Sequence, residues 1–298
     1  MASDDGVKLS FLTTGTAQIR NSGRSQPANR SAFYRRFVTL FDRSWTDPLP
    51  VGVFLIHHPE GLFLFDTGQS PSCNDPGYLP CVVSVPAQLM SQFKIERHDG
   101  ILEQLHQLDI KATDLKAVIL SHLHGDHAGG LEDLVAEAPD LPIIISREHW
   151  EAFGEHPFAA SIQGSVPNHW PQNFAPRIVD LEDTPLGPWK RSYPITEDGK
   201  LVIVDTSGHV PGHIGLVVYD EEKTGKQTTY FLPGDATYGL DILEKEEPDG
   251  MNDDPQRALQ TLKTINEFAR STELIVLPSH DPDTPRLLAE KSVYRPAD

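Results

Sequence analysis

The stretch SHLHGDHAGG, residues 121–130, places three histidines and one aspartate within six positions, His122 to His127. Neutral imidazole nitrogens and carboxylate oxygens suit zinc and related divalent ions. Three other apolar runs end in the same kinds of residue: LVIVDTSG leads to His209, YFLPG to Asp235 and LIVLPS to His280. With His122, His124, Asp126 and His127, they make seven candidate metal ligands. Five histidines and two aspartates are too many for one tetrahedral ion but suit two, which a carboxylate or hydroxide can bridge. No cysteine lies near these motifs, which disfavours a structural thiolate zinc site. His57, His58, His98, His106, His149, His156 and His169 are read as ordinary hydrogen-bonded or exposed residues, because isolated motif matches are mostly accidental.

Strands must position these groups. Runs rich in Val, Ile, Leu and Phe recur at 37–41, 51–58, 61–68, 117–122, 142–148, 200–209, 214–220, 228–235 and 273–280. Several are continuously apolar, as expected of strands covered on both faces. If the four ligand-bearing strands lie side by side, their ends carry all seven residues to one edge of a sheet. Helical spacing appears between strands. Ile101, Leu102, Leu105 and Leu108 share one face, and so do Leu259, Leu262, Ile265 and Phe268, behind Asp254 as N-cap and Pro255 in the first turn. Packed sheets with helices outside, in one α/β domain over 1–298, are expected. Residues 149–199, rich in proline and holding Trp150, Trp170 and Trp189, read as an irregular excursion that shapes a pocket.

Composition narrows the function classes. The net charge of −18 opposes binding to nucleic acid or an anionic membrane. No apolar run is long enough for a membrane span. The start, MASDDGVKLS, lacks the basic and apolar regions of a secretory leader, so a soluble cytoplasmic protein is expected. Cys73 and Cys81 are then expected as reduced thiols, with a bridge left open.

The motifs carry a resemblance. HLHGDH resembles the His-x-His-x-Asp-His signature of the metallo-β-lactamase superfamily. SGHVPGH, GDATY and PSH are similar to its later histidine and bridging-aspartate motifs, and FLFDTG to its early aspartate motif, in the same order from Val51 to His280. The resemblance implies an αββα sandwich with a dinuclear site at one edge. By it, His122, His124 and His209 would bind one ion, Asp126, His127 and His280 the other, and Asp235 would bridge both. His213 would be a packed residue beside the ligands, and Asp66 would lie beneath the site and orient them. Two divalent ions are implied, zinc by default, with iron, manganese or cobalt able to use the same set.

Within the superfamily, the chain is most similar to the N-acyl homoserine lactonases. HLHGDHAGG differs from their HLHFDHAGG pattern at Gly125, where an aromatic often stands. Tyr238, three residues past Asp235, matches their phenol over the metals. Asp235 departs from the second site of true metallo-β-lactamases. His124 disfavours diiron flavoproteins, and with 18 residues after His280, where glyoxalase II carries a C-terminal domain, that enzyme is the less expected reading. The implied reaction is attack of a metal-bridging hydroxide on a cyclic ester, a quorum-quenching lactonase activity. Tyr238 would donate to the oxyanion, and Asp126 would carry the proton to the leaving group. Hydrolysis of a cyclic amide or of an aromatic lactone or lactam stays open. So do a thioesterase and a metal-binding protein without turnover. The expected partner is a small cyclic ester or amide, and a homodimer is left open.

Overall fold

The structure, a computed structural model, describes residues 6–79, 89–221, 225 and 227–297. Cys81 lies outside the described residues, and so does the pairing question it raises; residues 1–5 of the N-terminal reading do as well.

Among the described residues the strands form two sheets. The seven-stranded sheet has the order β4-β1-β2-β3-β5-β6-β7. Its strands are β1 (Lys8–Ile19), β2 (Leu49–His58), β3 (Gly61–Phe65), β4 (Ser91–Lys94), β5 (Leu115–Ile119), β6 (Ile143–Ser146) and β7 (Arg177–Val179). The five-stranded sheet has the order β12-β11-β10-β9-β8. It contains β8 (Ser192–Pro194), β9 (Leu201–Asp205), β10 (Ile214–Glu221), β11 (Gln227–Leu232) and β12 (Leu274–Val276).

Side chains alternate across each strand, which sorts them into three apolar layers. Phe54, Ile56, Phe63, Phe65 and Ile119 meet Ile203, Leu216, Val218 and Leu232 between the sheets. Val53, Leu55, Leu64 and Val118 point the other way, onto Ile101 and Leu105 of one helix and Leu131 and Leu134 of another. Val204, Val217, Phe231 and Val276 pack outward on Leu262, Ile265 and Phe268 of the Pro255–Ser271 helix. Helix, sheet, sheet, helix is therefore the layer order, and it explains why these strands are apolar on both faces. Asp254 caps the long helix by accepting from the Gln256 and Arg257 amides, as its sequence indicates. Leu259, assigned to its apolar face, is only half buried.

Two elements differ from the sequence expectation. The run FVTLF at 37–41 is not a strand but the end of a helix, Ala32–Phe41, capped by Ser31, whose hydroxyl accepts from the Tyr34 amide. Short apolar runs suit either structure, and here the 3.6 period extends upstream through Phe33. Strand β1 carries no signal that set it apart. Its 12 residues are rich in threonine, and its register shifts between Thr13 and Thr16, where Gly15 has φ +100°. The excursion at 149–199 also carries more order than its sequence suggests. It supplies β7 and β8, one edge of each sheet, and Trp189 enters the outer core on Phe231 and Phe268.

Among the described residues, no helix is long and apolar enough to cross a membrane.

Candidate metal centre

Strand direction brings the motifs together. β3 and β5 are parallel neighbours, and so are β11 and β12. β10 is antiparallel to both β9 and β11, so β9, β11 and β12 point one way. The chain leaves β5 toward His122, β9 toward His209, β11 toward Asp235 and β12 toward His280, and these ends meet at one edge. Candidate ligand atoms of His122, His124 and His209 lie within 4.8 Å of one another, as do those of Asp126, His127 and His280. Asp235 stands between the groups. Its Oδ1 is 3.0 Å from His127 Nε2 and 3.1 Å from His280 Nε2, and its Oδ2 is 3.6 Å from His209 Nε2. All seven sequence candidates are thus in one place.

The outer partners of the imidazoles decide what faces inward. His280 Nδ1 lies 2.8 Å from the Pro50 carbonyl, which can only accept, so Nδ1 carries the proton. His127 Nδ1 meets Asp66 Oδ2 at 2.8 Å, and His209 Nδ1 meets Asp249 Oδ2 at 3.2 Å, with the same consequence. Ser121 donates its hydroxyl to Asp66 at 2.9 Å and so accepts from His122 Nδ1 at 3.0 Å. In the neutral rings each Nε2 then presents a lone pair to the interior. His122 Nε2 and Asp235 Oδ1 are buried without a hydrogen-bond partner. Lone pairs 3.0–3.3 Å apart, as between His127 Nε2, His280 Nε2 and Asp235 Oδ1, repel unless a cation or proton sits among them. This all-N/O donor set fits divalent ions.

His213 is excluded as a ligand by the same test. Its Nε2 accepts the Asp235 amide at 3.1 Å, and its Nδ1 faces Thr206 Oγ1 at 2.7 Å, so both nitrogens are occupied. It holds the backbone of Asp235 in place.

Protonation of the metal-free site follows the carboxylates. Burial, then the neighbouring His127, holds His122 well below the ordinary imidazole range, and burial, then His209, does the same to His124. Burial also pulls on His127, His209 and His280, but nearby carboxylates overcome it and raise all three: Asp235 and Asp66 at His127, Asp249 and then Asp235 at His209, and Asp235 and then Asp126 at His280. For Asp235 itself burial acts upward, yet His127 and His280 hold the carboxyl well below the usual range. A metal must therefore displace protons from three rings whose pKa lies above 6.5. Apparent zinc affinity is expected to fall by about tenfold or more from pH 8 to pH 6, since each competing proton costs up to about a decade per pH unit. Competition with a fluorescent chelator measures it. A flat profile would show that these rings carry no proton without metal.

Positioning groups surround these side chains, and the sequence pointed to one of them, Asp66. Asp66, at φ +64°, lies in a backbone region unusual for a side-chain-bearing residue. It accepts from the Ser121 amide, the Ser121 hydroxyl and His127, and so orients two of the histidines as the aspartate motif implies. Asp249 is new: it holds His209 from a loop, EPDGMND, with no distinguishing pattern. Arg35 is fully buried and ties that loop down through the Pro248 carbonyl and Asn252, whose amide bonds the Asp249 carbonyl. His149 is hydrogen-bonded, as read, but to the ligand loops themselves. Its Nε2 accepts the Leu123 amide at 2.9 Å, and its Nδ1 donates to the Pro211 carbonyl at 2.8 Å.

Tyr238 stands over the cluster, its ring 5.2 Å from that of His280 and 6.3 Å from that of His209. Burial, then the Asp235 charge, pushes its phenol well above the ordinary value, which keeps it a donor. A Cβ at Gly125 would meet Val166 Cγ2 at 2.9 Å, and the Gly125 amide bonds the Gly164 carbonyl at 3.0 Å. The 164–166 segment thus occupies the space a side chain at 125 would need. Phe153 belongs to the core, where Trp150, Trp170 and Phe174 pack around it, while Phe158 is exposed.

Comparisons with known proteins agree with this geometry. The family model of the metallo-beta-lactamase superfamily matches residues 46–280. A Bacillus sp N-acyl homoserine lactonase is 30% identical over 233 residues, covering 78% of this chain and 82% of that protein. The N-acyl homoserine lactonase AttM of Agrobacterium fabrum is 26% identical over 287 residues, covering 93% and 94%. Among solved structures, an N-acyl homoserine lactone hydrolase with the product N-hexanoyl-L-homoserine bound at its catalytic metal center superposes with a TM-score of 0.68 at 24% identity, covering 97% of this chain and 96% of that one. AidC, a dizinc quorum-quenching lactonase, gives 0.61 at 18% identity, covering 94% and 92%. At these identities the solved structures establish a shared fold.

Proposed function

The chain belongs to the metallo-β-lactamase superfamily, and from that premise we propose that it is a metal-dependent lactonase that opens the ring of N-acyl homoserine lactones. The observation that carries this reading is the convergence of candidate ligand atoms from seven side chains beneath a buried phenol. The lactonase relatives support the substrate class. His122, His124 and His209 would hold one zinc ion, Asp126, His127 and His280 a second, with Asp235 shared. Such ions, when bound, supply Lewis acidity and bring the pKa of water toward neutrality.

The chain's own residues do the rest. Tyr238, kept protonated, donates to the oxygen on which charge develops as the ring carbonyl is attacked. Tyr238→Phe is expected to lower kcat by about 10-fold to 100-fold with little change in KM, somewhat less than the loss of a full oxyanion-hole donor. Unchanged kcat would assign the phenol to packing. Asp126 approaches His127 and His280 only to 4.0 and 3.8 Å, and its side chain keeps 21% exposure. One of its oxygens can therefore take up the proton that the attacking water gives up and pass it to the departing ring alkoxide. Asp126→Asn is expected to lower kcat by about 10²-fold or more, the range of a positioned acid. Steady-state kinetics at matched metal content checks it, and a loss confined to KM would remove Asp126 from the proton path.

The reading is tested by mass spectrometry of products from a panel of acyl homoserine lactones, aromatic lactones, aromatic lactams and a glutathione thioester, with and without chelator. Chelator-sensitive opening of the homoserine lactones above all others is expected. Preferential cleavage of a lactam or thioester would overturn it.

A further inference from the structure

We propose that the chain forms a two-fold homodimer through the Ala32–Phe41 helix. Its outer face exposes Phe33 (81%), Tyr34 (47%), Phe37 (50%), Leu40 (42%) and Phe41 (65%). These positions recur at the three- and four-residue spacing of a helix-packing seam. Phe37 and Phe41 already pack on each other with ring centroids 4.6 Å apart. The largest apolar patch of a soluble protein is typically about 300–600 Å² and is often functional.

Charge permits a second copy as the occupant. The chain carries −18, so two copies repel wherever acidic surfaces meet. Residues 31–41 contain no acidic group, so this helix is one place where two copies can meet without that repulsion. A lipid surface fits less well. Arg35 is turned inward and buried, and Arg36 is bonded to the Met251 carbonyl and Asp253. That leaves Arg30, stacked toward Tyr34, and Arg43 at the two ends. At roughly 1 kcal/mol per basic residue, two arginines attract an anionic membrane weakly against the charge of the whole chain.

Area is sufficient. With aromatic side chains of 150–250 Å², the exposed stripe amounts to roughly 500 Å² per copy. A pair therefore buries about 1,000 Å² from the stripe alone, the lower bound of a specific interface before its polar rim is added. Aromatic and arginine side chains are also those enriched in interface cores. The apolar stripe is self-complementary, as a two-fold contact requires. The helix reaches the metal centre through Arg35, Asn252 and Asp249 to His209, so the dimer would brace one side of the site.

The test is sedimentation velocity of the metal-loaded full chain from about 1 to 100 µM, the range in which a modest interface populates both states. The wild type is expected at twice the 33.1 kDa chain mass. Phe33→Glu with Phe37→Glu is expected to raise the dimer Kd by at least about 100-fold, as loss of two central anchors does. Phe158→Glu, on another exposed apolar residue, is expected to leave the dimer intact. Both changes are at exposed positions, and unfolding curves with metal content verify that the fold is kept. A wild type that stays monomeric throughout overturns the proposal; co-sedimentation of that monomer with phosphatidylglycerol vesicles would give the face to lipid instead. A dimer that survives the double substitution also overturns it.

Discussion

Asp235→Ala is expected to strip the centre of metal and to lower kcat/KM by about 10³-fold. Asp235 is buried, and its two oxygens face His127, His280 and His209. Removing a buried charge while its partners remain costs about 3–5 kcal/mol, which corresponds to two to four decades in affinity or rate. Two ions close together also need the shared negative charge to offset their mutual repulsion. Metal content after dialysis and kcat/KM measured together check the prediction. The fold should persist, because the Asp235 amide still donates to His213 and the flanking Leu232 and Ala236 remain packed. Retention of two ions per chain with unimpaired turnover would remove Asp235 from the centre.

Asp66→Ala should act on stability as well as on metal. The substitution strands three buried donors: the Ser121 amide, the Ser121 hydroxyl and His127 Nδ1–H. Each costs roughly 1–3 kcal/mol if unpaired, and water entering the gap recovers part of it, so a loss of about 3–5 kcal/mol is expected. That is a large share of the 5–15 kcal/mol available to a typical domain and lowers Tm by roughly 10 °C. Metal affinity should fall about 10- to 100-fold, because His122 and His127 lose the groups that fix their tautomers. Asp66→Asn separates the two effects. Asparagine tolerates the left-handed backbone at φ +64° and still accepts the Ser121 amide, but its NH2 cannot accept from His127. It should keep more stability than Ala while losing as much metal. Thermal melts of the metal-free protein and zinc competition supply the two readouts, and equal zinc affinity in all three proteins would sink the orienting role.

The candidate ligand set was legible because chemistry and strand ends coincide in the primary structure. His122, His124, Asp126 and His127 are adjacent, and His209, Asp235 and His280 each close an apolar run. Continuous apolar character also betrayed the strands buried on both faces. Strand β1 was not legible, since its threonines and its bulge at Gly15 break the alternation that marks a half-buried strand. The 37–41 run misled for the opposite reason: five residues are too few to tell a period of 2 from one of 3.6, and the deciding residues, Phe33 and Ser31, lie outside it.

The sequence by itself therefore determined which residue types could hold metal and the layered α/β architecture that presents them. Tertiary structure alone decided which way each ring faces. His213 matches a histidine motif yet spends both nitrogens on Asp235 and Thr206, while Asp249 matches no motif and holds His209. It also decided that Val166 takes the space over Gly125 and that Arg35 is the arginine turned inward. The physical reason is that a ligand's identity is local, carried by its own side chain, whereas its tautomer, its burial and the wall beside it are set by groups tens to hundreds of residues away, and only folding brings those within hydrogen-bond reach.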